Sequence, residues 1–244
     1  MRTRDRDIVF LLALAFTLLA VALAGPGIGW HLAVEGPHGG QPVLVAGSPL
    51  ARARGALVLA HGRGASALDI LDLGAALAPP GWALVAPQAA GGTWYPNRFL
   101  APLAANEPWL SSALAALAEI LAVLGEGGLP PERIALAGFS QGACLALERA
   151  ARTPRRYAAL LAFSGALVGP PDTPRPAPPG SLAGTPALVA GVERDPHVPG
   201  PHLRAAAEHL AALGARVELR LTPGSTHAVR PPDLAAAREI LKSF

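Results

Sequence analysis

The chain has 244 residues, 51% of them apolar and 15% charged, with 27 glycines and 26 prolines; that is room for one sizeable core, too little for two ordinary enzyme domains, and far from a disordered composition. The formal net charge is only +3, and its scattered arginines and single lysine, Lys242, form no contiguous basic patch, which argues against a nucleic-acid surface. One cysteine, Cys144, excludes an intrachain disulfide and a Cys-rich metal site, and its place in an apolar helical segment gives it a buried packing role.

In chain order, Arg2, Arg4 and Arg6 come first, before an uncharged stretch from Ile8 to Ala24 that ends in Ala22-Leu23-Ala24. These are the charged, apolar and small-residue parts of an export signal, with cleavage expected after Ala24. If uncleaved, residues 8–24 would serve as a membrane anchor. Either way residues 25–244 form a domain expected outside the cytoplasm, periplasmic, secreted or anchored.

That domain alternates short apolar runs with Ala/Leu-rich stretches. Trp30–Glu35 and Pro42–Ala46 flank a Gly/Pro turn and read as an opening hairpin. Ala56–Ala60 is a continuous apolar run, as a strand buried on both faces requires. Ser66–Ala78 follows as a helix, with Ser66 its N-cap and Asp69 three residues on. Trp82–Ala86 is a strand, Glu107–Leu124 a long helix with Trp109 near its start as a core residue, Arg133–Ala137 a strand and Gln141–Ala151 a helix. Strands at Tyr157–Phe163 and Ala187–Val192 bracket a loop, PPDTPRPAPPGSLAG, too rich in proline for regular structure. Leu203–Leu213 (helix), Arg216–Leu221 (strand) and Asp233–Ser243 (helix) close the chain. Repeated β-then-α units predict an α/β fold, a mostly parallel sheet with helices on both faces and little room for a lid.

Gly138-Phe-Ser-Gln-Gly142 stands where an apolar strand ends and a helix begins. A turn tight enough to lift Ser140 above the sheet edge brings the residues two before and two after it together, so both favour glycine. A serine hydroxyl is a weak nucleophile and needs a base oriented by an acid. Of the histidines at 31, 38, 61, 197, 202, 209 and 227, the order serine, acid, histidine excludes the first three as that base. His202 and His209 fall in or beside a helix, and His197 is a loop neighbour of Asp195; His227, in the loop leaving the last strand, is the base. Asp195, in the loop after Ala187–Val192, is the acid, with Glu193 its nearest rival. After the strand Ala56–Ala60 comes His61-Gly-Arg-Gly64. Gly62-x-Gly64-x-x-Ala67 also has the outline of a dinucleotide fingerprint, but the segment 82–91 lacks the acidic residue that would hold a ribose. The preferred reading makes the backbone N–H groups of Arg63 and Gln141 an oxyanion hole. No metal motif and no P-loop is present, so no metal and no cofactor are expected.

VLAHGRGAS (58–66), APQAAGGTWYPNRFLAP (86–102), GFSQGA (138–143), FSGALVG (163–169), ERDPHVP (193–199) and TPGSTH (222–227) together resemble the phospholipase/carboxylesterase family of α/β-hydrolases, which includes acyl-protein thioesterases. The resemblance covers most of the chain beyond the N-terminal apolar segment. It implies an α/β-hydrolase fold, Ser140, Asp195 and His227 as a catalytic triad, and Arg63 and Gln141 at the oxyanion hole. The expected activity is hydrolysis of small-molecule carboxylic esters of short to medium acyl length through an acyl-enzyme, by a monomer or homodimer. Trp94, Tyr95 and Phe99, leaving the carboxyl end of the strand 82–86, are candidates for the acyl pocket or for packing beneath their own loop. Alternatives are a lysophospholipase or thioesterase of the same family, a dienelactone-hydrolase-like enzyme, whose nucleophile would be cysteine where this chain has Ser140, and a non-catalytic exported binding protein.

Overall fold

The computed structural model describes residues 27–175, 178 and 180–244; the segment read as an export signal or anchor, residues 1–24, lies outside the described residues. Eight strands form one sheet, β1 (Gly27–His31), β2 (Pro42–Gly47), β3 (Gly55–Ala60), β4 (Trp82–Pro87), β5 (Ile134–Phe139), β6 (Ala159–Phe163), β7 (Pro186–Val192) and β8 (Arg216–Thr222), in the order β1-β2-β4-β3-β5-β6-β7-β8. β1 and β2 and then β2 and β4 pair antiparallel, and every pairing from β4 through to β8 is parallel. This is the α/β-hydrolase fold.

The five helices among the described residues are α1 (Ala67–Leu77), α2 (Trp109–Glu126), α3 (Gln141–Arg152), α4 (Gly200–Ala212) and α5 (Pro231–Leu241). Strand periodicity sorts them into two layers. Alternate residues of β3, Ala56, Val58 and Ala60, join a core built with α2, α3 and α4; Leu57 and Leu59, pointing the other way, join a second core built with α1 and α5. The central strands therefore bury both faces, which is why they read as unbroken apolar runs. α2 carries a mean hydropathy of 1.5 over 18 residues and would be long enough to enter a membrane; ten of those residues, among them Leu117 and Ile120, are buried in the core instead.

α1 begins with a full capping box: the Ser66 hydroxyl accepts from the Asp69 N–H, and the Asp69 carboxylate accepts from the Ser66 N–H. The first strand lies four residues earlier at its C-terminal end than its apolar pattern indicates. Past its end Leu32 still pairs with Gln41 and Gly40, and the N–H of Ala33 turns to the Glu119 carboxylate on α2. α4 and α5 start earlier than expected, at Gly200 and Pro231, because prolines at the first helical positions, Pro201 and Pro231, fit where no intrahelical N–H bond is needed. Among the described residues no helix or strand lies between β6 and β7, as the proline-rich sequence there requires.

Candidate active site

The carboxyl ends of β3, β5, β7 and β8 deliver four loops to one rim of the sheet, and a cavity of about 780 Å³ opens there. Ser140 leaves β5 with φ 54° and ψ −121° and serves as the N-cap of α3. Such a backbone costs a non-glycine residue about 1–3 kcal/mol and persists only where its surroundings enforce it. They do so here. The Ser140 N–H extends the β5–β6 ladder to Phe163 O at 2.9 Å, and the Ser140 carbonyl accepts the first helical bond from Cys144 N–H at 3.0 Å. A Cβ on Gly138 would stand 2.5 Å from the Gly142 carbonyl carbon, and one on Gly142 would stand 2.0 Å from Ala60 O. Both glycines are required by the approach of β3, β5 and α3 at this corner.

Asp195 follows β7 and is fully buried. Its Oδ2 meets His227 Nδ1 at 2.7 Å, while Oδ1 accepts from the N–H groups of His197 at 2.8 Å and Val198 at 3.1 Å. Burial alone would push this carboxyl upward, but the hydrogen bonds from His227, His197 and Val198 outweigh it and hold Asp195 below its ordinary value. The bond to Asp195 fixes Nδ1 of His227 as the protonated nitrogen and leaves Nε2 free. The His227 ring is wedged between Phe139, 4.8 Å away, and His197, 4.7 Å away. Ser140 and His227 line the same cavity; among the described residues no hydrogen bond joins them. Glu193, the rival acid, faces away and pairs with Arg204 at 2.6 Å.

Gly62, Arg63 and Gln141 also line the cavity, with the Gly62 Cα close enough that a Cβ would come within 3.6 Å of Ser140 Cβ. Gln141 is the first residue of α3, so its N–H is a first-turn donor without an intrahelical acceptor. The Gln141 and Arg63 side chains hold the loop after β4. Gln141 accepts from Trp94 N–H at 2.9 Å and donates to Tyr95 O at 2.7 Å, and the Arg63 guanidinium donates to Tyr95 O at 3.0 Å, Pro96 O at 2.7 Å and Asn97 O.

Of the three aromatic residues assigned to the pocket, Tyr95 and Phe99 line the cavity and Trp94 does not. Trp94 is completely buried beneath the loop, its indole N–H donating to His61 O at 2.8 Å and its ring packed against His38 and His61. A buried indole needs an acceptor, and this one lies behind the site. Cys144 is buried as expected, with burial pushing its thiol up to about 11, and it also reaches the cavity wall beside Tyr95. Burial first, then the neighbouring thiol, holds the Tyr95 phenol well above its usual value.

Two buried histidines support the loops from behind. His61 donates from Nδ1 to Gly62 O at 2.8 Å and accepts the Ala89 N–H on Nε2 at 3.1 Å; His38 accepts the Ala90 N–H on Nδ1 at 3.2 Å and donates from Nε2 to Trp94 O at 3.0 Å. With one nitrogen accepting, each ring is neutral, and burial lowers both below the usual histidine value. His38 is 52 residues from Ala90 and 56 from Trp94, a separation at which no local sequence pattern identifies a supporting role. Arg98 and His197, also in the cavity wall, stand in the segments 86–102 and 193–199 that carry the family resemblance, but nothing in those segments alone marks them as cavity residues.

The chain resembles known proteins at this point in both sequence and shape. A crystal structure of a phospholipase/carboxylesterase from Dyadobacter fermentans superposes with a TM-score of 0.79 at 37% identity, covering 82% of this chain and 95% of that one. Esterase PE8 superposes with a TM-score of 0.68 at 29% identity, over 82% and 96%. Acyl-protein thioesterase 1 of Gibberella zeae is 30% identical over 126 residues, a match spanning 48% of this chain and half the length of that protein. The family model described as Phospholipase/Carboxylesterase matches residues 43–244. On that match, with the fold and its strained serine turn, the chain belongs to the phospholipase/carboxylesterase family of α/β-hydrolases.

Proposed function

We propose that the protein is a serine esterase in which Ser140 is the nucleophile, His227 the general base and Asp195 its orienting acid. The observation that carries this reading is the 2.7 Å bond from His227 to a buried Asp195, with that imidazole lining the cavity onto which the strained Ser140 opens. His227 Nε2 takes the proton as Ser140 Oγ attacks the ester carbonyl, and Asp195 stabilises the imidazolium that results. The Ser–His bond of such sites is often loose without substrate and tightens once one is bound. The backbone N–H groups of Arg63 and Gln141 receive the developing oxyanion, Gln141 with the added field of the α3 N-terminus. His227 then protonates the departing alcohol, and a water activated by the same imidazole hydrolyses the acyl-enzyme.

A thioester is split by the same steps, and the partial match to an acyl-protein thioesterase makes it the second substrate class. Turnover of p-nitrophenyl esters from acetate to palmitate, beside acyl-thioesters of matched length, tests the assignment. Ser140→Ala is expected to lose about a million-fold in turnover and Asp195→Asn about 10⁴-fold while both remain folded. A short-chain optimum is expected, since among the described residues no helix or strand is inserted between β6 and β7 that could serve as a large lid. Ser140→Ala turning over esters near the wild-type rate would overturn the proposal in favour of a non-catalytic binding protein.

A further inference from the structure

The charge around the cavity is one-sided. Arg63 and Arg98 are the charged side chains that line it, and among the described residues no aspartate or glutamate does. The nearest carboxylates are engaged elsewhere: both oxygens of Asp195 are hydrogen-bonded behind His227, and Glu193 holds Arg204. Arg63 is fixed by three main-chain carbonyls, which orient the guanidinium without neutralising it. Arg98 is exposed on the loop after β4 and reaches towards the loop after β7, where, among the described residues, its guanidinium makes one hydrogen bond, to Pro196 O at 3.5 Å, the outer limit of such a bond. Among the described residues neither arginine makes an ion pair. Most arginines among the described residues are exposed surface charges; Arg98 differs in lining the cavity on the loop that carries Tyr95, facing the loop that carries His197, with its fork of donors nearly free.

We infer that the site selects esters bearing an anionic group, a carboxylate or phosphate a few bonds from the scissile carbonyl, with Arg98 as the specificity-determining contact. The inference rests on the esterase reading above. A cleft lined by one sign of charge concentrates the opposite sign at its mouth and raises encounter rates by about 10- to 1,000-fold, an effect that salt removes. A guanidinium matches carboxylate and phosphate oxygens in a bidentate geometry that a main-chain carbonyl cannot offer, so an anion displaces the weak Pro196 contact readily.

Two substrate pairs that exchange a terminal methyl for a carboxylate isolate the effect. Ethyl hexanoate against monoethyl adipate places the charge on the acyl side, and butyl acetate against 4-acetoxybutanoate places it on the alcohol side. The wild type is expected to favour the anionic member of at least one pair by about tenfold or more in kcat/KM at low ionic strength. The preference should shrink as salt rises from about 0.01 to 1 M and the Debye length falls from about 30 to 3 Å. Arg98→Gln should reduce the ratio and Arg98→Glu should invert it, with far-UV circular dichroism verifying the fold of each. Equal kcat/KM within both pairs, or a preference unchanged in Arg98→Glu, overturns the inference and leaves the esterase reading standing. Failure to turn over any of the four esters, with no turnover of the p-nitrophenyl esters and acyl-thioesters either, removes the esterase reading itself.

Discussion

Gly142 shows how little freedom the turn at Ser140 has. Its hydrogen faces the carbonyl oxygens of Ala60 and His61, at distances where a methyl group would sit 2.0 and 2.5 Å away. The Ala60 oxygen cannot retreat without disturbing the pairing of β3 with β5, where Ala60 faces Gly138, and the His61 oxygen is held by the Trp94 indole. Gly142→Ala is therefore expected to destabilise the protein by about 3 kcal/mol or more, measured by urea unfolding, and to abolish esterase activity. A stability within about 0.5 kcal/mol of wild type would contradict the packing described. The same scale shows the limits of reading a loop from its letters. Trp94 and Tyr95 are adjacent in a loop that the sequence marks as aromatic, yet one anchors the loop from below and the other faces the cavity. The difference is made by acceptors contributed from elsewhere, His61 O for the indole and Gln141 for the backbone, and no local pattern contains them.

Between elements, the contact that ties the loop after β6 to α3 is a buried carboxylate. Glu148, on α3, accepts from Arg152 at 2.7 Å, from Arg175 at 3.1 Å and from the buried N–H of Val168 at 3.0 Å. Removing it leaves that N–H unpaired and two arginines without a carboxylate, Arg175 keeping only its bond to Val168 O. Glu148→Ala should cost about 3–5 kcal/mol in chemical denaturation, and Glu148→Gln less, since an amide oxygen still accepts from Val168. A loss below about 1 kcal/mol for the alanine variant would show that the network is not structural. The elements themselves were legible wherever one physical requirement dominated. Strands buried on both faces appear as apolar runs and were placed to within a few residues, and Ser66 with Asp69 marked the start of α1 correctly. Boundaries shifted where the backbone takes a distant side-chain partner, as Ala33 takes Glu119 just past β1, or where proline opened a helix earlier than its apolar face begins.

For the whole molecule, the order of the loops along the sheet turns a linear motif into a site. Ser140, Asp195 and His227 are distant in sequence but follow β5, β7 and β8, so a parallel sheet with its crossovers delivers them to one edge. That much was readable from the strand-then-helix context of GFSQG and from the order serine, acid, histidine. The positive rim made by Arg98 was not, because charge at a cavity mouth depends on which loops become neighbours. The fold also links the site to stability. Asp195 is held below its ordinary value, so its contribution is present above the unfolded carboxylate value of about 3.9 and is lost as pH falls through the lower folded one. Between pH ~5 and ~3 the wild type should lose more in melting temperature than Asp195→Asn, which lacks that titration; parallel losses in the two proteins would contradict the assignment.

The most direct measurement is covalent. Treatment with a fluorophosphonate, which reacts only with an activated serine, followed by peptide mass spectrometry, is predicted to place a single adduct on Ser140 in the wild type and none in His227→Ala. An adduct on a different residue, or ester turnover by a protein whose Ser140 stays unlabelled, would contradict the account.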